Sequence, residues 1–430
     1  MTRSAITAVH GRRVWDSRGR PTVEVEVTCA GGAIGRAIAP AGASTGSGEA
    51  IDLRDGGPRF GGLDCLSAVA NVTGPIAQAL IGMDATRQVA IDQRLIELDG
   101  TANKGRLGGN AVVATSMAIA WAAADAHRLP LWRWLGGAEA HLLPLPEIQI
   151  FGGGKHAAGR LDIQDFLVVC PGAATFAQAL EWTAEVYRAA GELMAEAGRL
   201  QGVADEGGWW PAFDGNEDAL AMLTRAIERA GYRPLEQVAI ALDVAASSFG
   251  RAGRYELAAE GRELDTGGMI ELVGGWLDRY PIVSVEDPLA EDDEPGFIAF
   301  RSRFGDRVQV VGDDFLVTDA ARVRAAALHR SCTTVLLKPN QCGTLTETRA
   351  AWDAARANGM GAIVSARSGE SEDVTIIHLA VGWGVPQFKV GSFARSERMA
   401  KWNEGLRIEE ALGTAARFAG RAALTTGRGG

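Results

Sequence analysis

Three acidic residues each end a short apolar run, and together they could hold a metal ion. Asp243 ends the run VAIALD, Glu286 lies in IVSVED, and Asp313 lies in VQVVGDD. A carboxylate at the end of a strand that is buried on both faces has no evident structural role. Carboxylates brought together also repel one another unless a cation lies among them. Oxygen ligands of this kind favour Mg²⁺, which keeps coordination places for water and substrate. We therefore predict a magnesium site, the alternative being three separately solvated loop acids.

Two lysines end later apolar runs and could supply a base. Lys338 ends TTVLLK, and Lys389 follows Phe388 at the end of another run. A lysine beside a metal ion and a second ammonium should have a lowered pKa, because like charges disfavour the protonated form. One lysine could then be the base and the other an anion clamp. Taken singly, each could also be a rim lysine that extends its apolar stem over the surface.

Two loops have compositions that suit a ligand site. The sequence ADEGG places Asp205 and Glu206 before two glycines, which allow close approach of the backbone to a ligand. The loop GASTG, residues 42–46, suits either a mobile lid or a plain connector, and its composition alone favours the connector.

The spacing of the chemically active residues indicates how they are positioned. Six such runs end at Asp243, Glu286, Asp313, Lys338, Arg367 and Lys389, from 22 to 43 residues apart with helix-length segments between them. This is the rhythm of a β/α barrel, whose strands carry catalytic side chains at their carboxyl ends. The charged residues are therefore expected to converge on one mouth.

The chain before these runs has a different pattern. Residues 22–28 and 33–39 alternate between apolar and polar side chains, which predicts a small antiparallel sheet. Apolar helical stretches follow at residues 63–80, 86–98 and 110–126, and LPLP at residues 143–146 marks a connection. We predict an α/β fold with an N-terminal α+β capping domain, residues 1–138, and a C-terminal TIM-like β/α barrel catalytic domain, residues 139–430.

Composition excludes several classes of protein. The 430 residues include 47% hydrophobic ones, enough for a sizeable core, and the formal net charge of -10 disfavours a nucleic-acid partner. The five cysteines are scattered without a CxxC pattern, as expected of reduced thiols. No run has the length of a signal peptide core or a membrane span, which favours a cytoplasmic protein without a membrane partner. The Arg/Gly-rich tail after Ala416 is expected to be frayed.

Motifs distributed over nearly the whole chain, from about residue 6 to residue 413, resemble those of the enolase family. They are DSRGRPTVEVEV (16–27), GASTG (42–46), ADEGG (204–208), YPIVSVEDPLAEDD (280–293), VGDD (311–314), LLKPNQCGTLTET (336–348), RSGESED (367–373) and FKVGSFARSERMAKWNEGLRIEEALG (388–413). The resemblance implies a barrel whose opening strands depart from simple β/α alternation. It also implies a homodimer, in which Arg18 pairs with Glu410 of the other subunit, and Mg²⁺-dependent elimination of water from a 2-phosphoglycerate-like acid.

The resemblance also implies roles for the metal site and the proton-transfer groups. Asp243, Glu286 and Asp313 would hold the first of two Mg²⁺ ions, and Ser44 would reach the second. Lys338 would be the base at C2, and Glu206 would assist departure of the C3 hydroxyl. Enolase-superfamily sites are a known example of a lysine or histidine base used with one or two Mg²⁺ ions.

The substrate contacts are implied in the same way. Arg367 and Ser368 would bind the phosphoryl group and Lys389 the carboxylate. His156 and Gln164 would complete the pocket wall.

The sequence departs from the family pattern beside these residues. Ala366 stands where the family has the histidine of S-H-R-S-G-E, Asp165 stands where it has the glutamate of Q-E-F, and Ser248 where it has that of S-E-F. Lost bulk near an intact phosphoryl clamp predicts a wider pocket and a substrate that is larger at C2. We therefore expect a specialised paralogue that acts on a phosphonylated glycerate, such as carboxyphosphonoenolpyruvate synthase of phosphonate natural-product biosynthesis.

Two alternatives remain at this point. One is an ordinary glycolytic enolase that converts 2-phosphoglycerate to phosphoenolpyruvate. The other, of a different class, is a catalytically silent enolase-like binding protein, against which the retention of Lys338, Glu206 and the metal carboxylates argues.

Overall fold

The chain folds into a sheet-and-helix layer followed by a closed barrel. The structure is a computed structural model that describes residues 2–427. The outermost residues of the two predicted domains, Met1 and 428–430, lie outside this range. Within residues 2–427, no helix combines the length and apolar character needed to cross a membrane.

The first layer is an antiparallel meander packed on helices. Its strands are β1 (Ile6–Trp15), β2 (Pro21–Cys29) and β3 (Ile34–Ile38), in that order across the sheet. Its helices are α1 (Leu66–Asn71), α2 (Ala77–Leu80), α3 (Gln88–Asp99), α4 (Gly109–Ala126) and α5 (Leu131–Gly136), with a π-helical turn Val72–Ile76 between α1 and α2. The alternating apolar residues of β2, Val23, Val25 and Val27, are fully buried. The Ala-rich α4 is buried on most sides, as its composition predicts.

The second part of the chain alternates strands and helices. The strands are β4 (Leu142–Leu143), β5 (Leu145–Gly152), β6 (Asp165–Val169), β7 (Ala239–Asp243), β8 (Gly250–Arg251), β9 (Arg254–Leu257), β10 (Arg262–Asp265), β11 (Ile282–Glu286), β12 (Gln309–Gly312), β13 (Thr334–Leu337), β14 (Gly361–Ser365), β15 (Gln387–Ser392) and β16 (Arg417–Phe418). The helices are α6 (Phe176–Glu196), α7 (Asn216–Arg229), α8 (Thr266–Arg279), α9 (Glu294–Phe304), α10 (Ala320–His329), α11 (Pro339–Cys342), α12 (Leu345–Ala357), α13 (Thr375–Trp383) and α14 (Ser396–Leu412).

Eight of these strands close a barrel in the order β11-β12-β13-β14-β15-β5-β6-β7. Strand β6 runs antiparallel to both β5 and β7, whereas the other neighbours are parallel. The prediction of a barrel with irregular opening strands is confirmed. The carboxyl ends of the parallel strands all meet at one mouth.

The first layer is fixed to the barrel by polar contacts with good geometry. Ile38 N donates to Asp373 over 2.9 Å, and Trp121 Nε1 donates to the Thr375 hydroxyl over 2.9 Å. These contacts join β3 and α4 to the chain at the start of α13.

The tail after Ala416 differs from the expectation of fraying. Strand β16 pairs with β4, and Ala423 is fully buried against the lower end of the barrel. Apolar residues of this otherwise Arg/Gly-rich tail pack on barrel side chains such as Leu145 and Val169. Burial of this apolar surface explains why the tail is ordered. The prediction was wrong for residues 417–427.

Candidate active site

Three carboxylates lie at the ends of neighbouring barrel strands. Asp243 ends β7 and Glu286 ends β11, where the two residues are direct partners in the parallel register. Asp313 follows β12 directly. All three side chains are buried. Because adjacent parallel strands end at the same level, Asp243 and Glu286 become neighbours although they are 43 positions apart in sequence.

The two predicted lysines contact these carboxylates. Lys389 Nζ lies 2.8 Å from both Asp243 Oδ2 and Glu286 Oε2. Lys338 Nζ pairs with Asp313 Oδ2. Burial would lower the pKa of Lys338, but the Asp313 and Glu286 carboxylates together hold that pKa above its usual value. The lowering that we predicted applies to a lysine beside a metal ion, and it stays a prediction.

The donor set fits Mg²⁺. Asp243, Glu286 and Asp313 offer carboxylate oxygens from three rigid strand ends, and the second oxygen of Glu286, Oε1, is buried without a hydrogen-bond partner among the described residues. An unpartnered buried carboxylate oxygen is costly unless a cation or donor meets it. Burial and the Asp243 carboxylate also raise the pKa of Glu286 well above its usual value, so its ionised form needs more positive charge than Lys389 provides.

A second cluster consists of His156, Asp165 and Glu206. His156 Nε2 lies 3.8 Å from Asp165 Oδ1 and 3.8 Å from Glu206 Oε1. Burial raises the pKa of Asp165 to about 6. Burial opposes ionisation of Glu206 too, but the charges of His156 and Arg398 hold its pKa below the usual value. Neighbouring carboxyl groups whose pKa values are shifted in opposite directions are a common arrangement for proton transfer.

Glu206 reaches this cluster from the ADEGG loop, where a glycine is required. Gly207 has φ +96°, and a Cβ there would lie 2.6 Å from the carbonyl oxygen of Ala394. Only glycine allows this close approach. The loop is fixed further by the Gly208 amide, which donates to Gln149 Oε1 over 2.8 Å.

A cationic end of the site is formed by Arg367 and Ser368, which follow β14. Arg367 donates to Glu49 through Nη1 over 2.9 Å and to the carbonyl oxygen of Ser44 through Nη2 over 2.8 Å. The Ala43 amide donates to Ser368 Oγ over 2.7 Å. The GASTG loop thus lies directly on these residues, and its position favours the lid interpretation over the connector.

The remaining predicted residues lie in the same place. Gln164 Nε2 donates to Asp243 Oδ2 over 3.1 Å. The backbone amide of Ala366 donates to the carbonyl oxygen of Lys389 over 2.9 Å. One cavity is lined by Ser44, His156, Gln164, Asp165, Glu206, Asp243, Lys338, Ala366, Arg367, Ser368 and Lys389.

The three substituted residues lie in different surroundings, and the widening that we expected relative to the family pattern stays a prediction. The cavity, which Ala366 lines, has a volume of about 30 Å³, comparable to a single water molecule. Asp165 is held by Gln149, whose long amide side chain reaches the short carboxylate. Ser248 is exposed and lines a separate groove on the hairpin side.

The predicted pairing of Arg18 with Glu410 of another subunit stays a prediction, and within one chain Arg18 already has partners. The Arg18 side chain is only 6% exposed and pairs with Asp16 of its own chain over 3.3 Å. Glu410 is exposed on α14. The turn between β1 and β2 is pressed against the barrel mouth, so Arg18 faces inward.

Several residues of the site were not found from the sequence. Glu49 contacts Arg367, and Gln149 contacts Asp165. Asp287 accepts hydrogen bonds from the backbone amides of Asp313 and Asp314. Only Asp287 had a signal, its position directly after Glu286. The others are single polar residues within apolar or loop segments, and their partners lie far away along the chain.

Comparison with protein families covers both parts of this fold. Residues 6–135 match the model of the enolase N-terminal domain, and residues 140–426 match that of the enolase C-terminal TIM barrel domain. The chain belongs to the enolase family. It is therefore a hydro-lyase of the enolase type, in a family that is generally Mg²⁺-dependent and acts on phosphoglycerate-like substrates.

Individual relatives cover nearly the full length. The chain is 51% identical to the protein named Enolase of Rubrobacter xylanophilus over 97% of this chain and 98% of the relative. It is 47% identical to Enolase 1 of Desulfitobacterium hafniense over 96% of this chain and 95% of the relative. These names favour the ordinary enolase alternative, and they give no support to a specialised phosphonate enzyme.

Proposed function

We propose that the protein dehydrates 2-phosphoglycerate to phosphoenolpyruvate in a Mg²⁺-dependent reaction. The observation that carries this proposal is that one cavity brings together Lys338, Glu206 and Arg367. They supply a base, a carboxyl group for the leaving hydroxyl, and an anion receptor. The relatives named Enolase support the same substrate.

The carboxylates Asp243, Glu286 and Asp313 would hold Mg²⁺, and Ser44 would reach a second ion from the GASTG loop. Removing the C2 proton adds negative charge to a substrate whose carboxylate is already ionised. Bound Mg²⁺ would supply positive charge close to where this negative charge develops. Lys389 adds to that charge by binding the substrate carboxylate.

Proton transfer is assigned to two different parts of the cavity. Lys338 takes the C2 proton, for which it must first be released from its ion pair with Asp313. Glu206, with Asp165 and His156 around it, assists departure of the C3 hydroxyl. Burial raises the pKa of Asp165 to about 6, so this carboxyl group holds a proton in mildly acidic solution.

The other residues orient the substrate. Arg367 and Ser368 bind the phosphoryl group, and Gln164 and Ala366 complete the wall. Because the cavity is small, with a volume of about 30 Å³, part of its wall must move for the substrate to bind.

The test is direct turnover of 2-phosphoglycerate by the purified protein with Mg²⁺ and with a chelator. We expect efficient enolpyruvate formation that the chelator abolishes, and poor turnover of a carboxyphosphono analogue. The opposite preference would restore the specialised paralogue. Absence of turnover of either compound would favour the silent binding protein.

The metal assignment has its own test. Asp313→Asn should weaken Mg²⁺ binding in calorimetry, because it removes one of few protein ligands. Asp292→Asn, an exposed carboxylate near the same mouth, serves as the control. Unchanged affinity in Asp313→Asn would remove Asp313 from the metal site.

We also propose a cytoplasmic homodimer with two domains, residues 1–138 and 139–430, and two Mg²⁺ ions in each site. The domain-level matches at residues 6–135 and 140–426 support this division. Light scattering at micromolar concentration should give about twice 45.2 kDa. A mass near that of one chain would contradict the dimer.

A further inference from the structure

Arg18, in the turn between β1 and β2, does not line the cavity but contacts Ser368, which does. Its backbone is fixed by Asp16, whose Oδ1 accepts the amides of Arg18 and Arg20, each over 2.8 Å. Its guanidinium donates to the carbonyl oxygen of Ala41 over 2.8 Å and to Ser368 Oγ over 3.3 Å. The side chain is therefore a bridge from the first layer of the fold to the cationic end of the cavity.

These contacts fix the direction of one hydroxyl proton. Ser368 Oγ accepts from the Ala43 amide over 2.7 Å and from Arg18 Nη1 over 3.3 Å. A hydroxyl oxygen has two acceptor positions and one proton. With both acceptor positions used, the proton is available only for donation, and Ser368 has no acceptor for it among the described residues. Ser368 lines the cavity, so a ligand oxygen there can receive the proton.

The packing around Arg18 leaves little freedom for this arrangement to change. A Cβ on Gly369 would lie 2.4 Å from Arg18 Nη2 and 2.5 Å from Asp16 Oδ2. The backbones of Ala41 and Gly369 are also joined by two hydrogen bonds of 2.9 Å. Arg18 is consequently held against both the GASTG segment and the segment that carries Ser368.

We propose that Arg18 is a positioning residue for phosphoryl binding, acting through Ser368. It keeps the Ser368 hydroxyl oriented as a donor to a phosphoryl oxygen and ties the start of the GASTG loop to the same place. This role depends on the proposed function only because that function identifies the ligand as the phosphoryl group of 2-phosphoglycerate. The hydroxyl orientation itself would serve any phosphate-like anion in the cavity.

The test is a double-mutant cycle of Arg18→Gln and Ser368→Ala with two readouts. One is the KM and kcat for 2-phosphoglycerate, and the other is calorimetric binding of inorganic phosphate, which needs no turnover. We expect Arg18→Gln to raise KM and the phosphate Kd by about tenfold, with a much smaller change in kcat. In the Ser368→Ala background, the same substitution should have less than about a threefold effect, because the residue it positions is gone.

Controls separate positioning from folding. Arg20→Gln alters an exposed arginine of the same turn and should leave both readouts unchanged. Arg18→Lys keeps a charged donor and should recover part of the loss. If Arg18→Gln does not fold, the comparison is made with Arg18→Lys against Arg20→Lys.

Additive effects of the two substitutions, or wild-type KM and phosphate affinity in Arg18→Gln, would overturn the proposal. If wild type does not turn over 2-phosphoglycerate but the phosphate readout shows the expected coupling, the proposed function fails and the positioning role stands.

Discussion

The ammonium group of Lys389 lies 2.8 Å from Glu286 Oε2, at the end of the neighbouring carboxylate strands. The same nitrogen is 2.8 Å from Asp243 Oδ2. A side-chain cation thus balances two of the carboxylates proposed to bind Mg²⁺. If Lys389 binds the substrate carboxylate as proposed, one lysine connects that group to the metal carboxylates.

Replacing Lys389 should separate these two interactions. In Lys389→Met, Mg²⁺ binding without substrate should tighten by about tenfold or more, because a positive charge is removed from the carboxylates. The KM for 2-phosphoglycerate should rise at the same time. Calorimetry and steady-state kinetics measure the two effects, with exposed Lys155→Met as the control. Weaker Mg²⁺ binding in Lys389→Met would contradict the proposed arrangement.

The proposed base and the leaving-group carboxyl should be separable by isotope exchange. Lys338→Ala should abolish exchange of the C2 proton with solvent, whereas Glu206→Gln should retain exchange while blocking dehydration. Proton exchange in deuterated buffer, followed by NMR, distinguishes the two steps. Exchange at the wild-type rate in Lys338→Ala would mean that another group removes the proton.

Glu147 should make stability depend on pH. Its carboxyl group is buried inside the barrel, and burial raises its pKa from 4.5 to about 7. Between these two values the folded state binds more protons than the unfolded state, so the free energy of unfolding falls as pH rises through that window. The full effect is about 3 kcal/mol.

Glu147→Gln removes this titration. Its free energy of unfolding should therefore increase relative to wild type between pH 5 and pH 8, as measured by chemical denaturation. Exposed Glu256→Gln is the control and should follow the wild-type profile. A constant difference between Glu147→Gln and wild type across this range would show that Glu147 keeps the same protonation state in both forms.

Gly35 should be required for packing of β3 on α4. A Cβ at this position would lie 2.0 Å from the Ala118 carbonyl oxygen and 2.2 Å from the Ala122 amide nitrogen. Both atoms belong to a helix backbone that cannot move alone, so Gly35→Ala should lower the free energy of unfolding by at least about 2 kcal/mol. Gly74→Ala is the matched control, because nothing lies within 4 Å of its added Cβ. Equal stability of the two variants in thermal or chemical unfolding would contradict this packing.

The sequence alone was sufficient to predict the main secondary-structure elements and the functional residues at the ends of the barrel strands. Apolar runs that end at Asp243, Glu286 and Lys338 predicted both the barrel and the common mouth, because a strand's hydrophobicity and its terminal residue are local properties. Position-by-position resemblance added Glu206, His156 and Ser368 from loops, and the structure places all three on the same cavity. Their chemical roles stay predictions.

Contacts between distant segments were decided only by the tertiary structure. The predicted subunit contact of Arg18 stays a prediction, and within one chain docking of the first layer brings this side chain to Ser368, 350 residues away. Burial lowers the pKa of Lys338, but this pKa lies above its usual value because the nearest charged group is Asp313. Local pattern determines which side chains reach the mouth of the barrel. Which of them touch, and hence their charge state and orientation, depends on how remote segments pack.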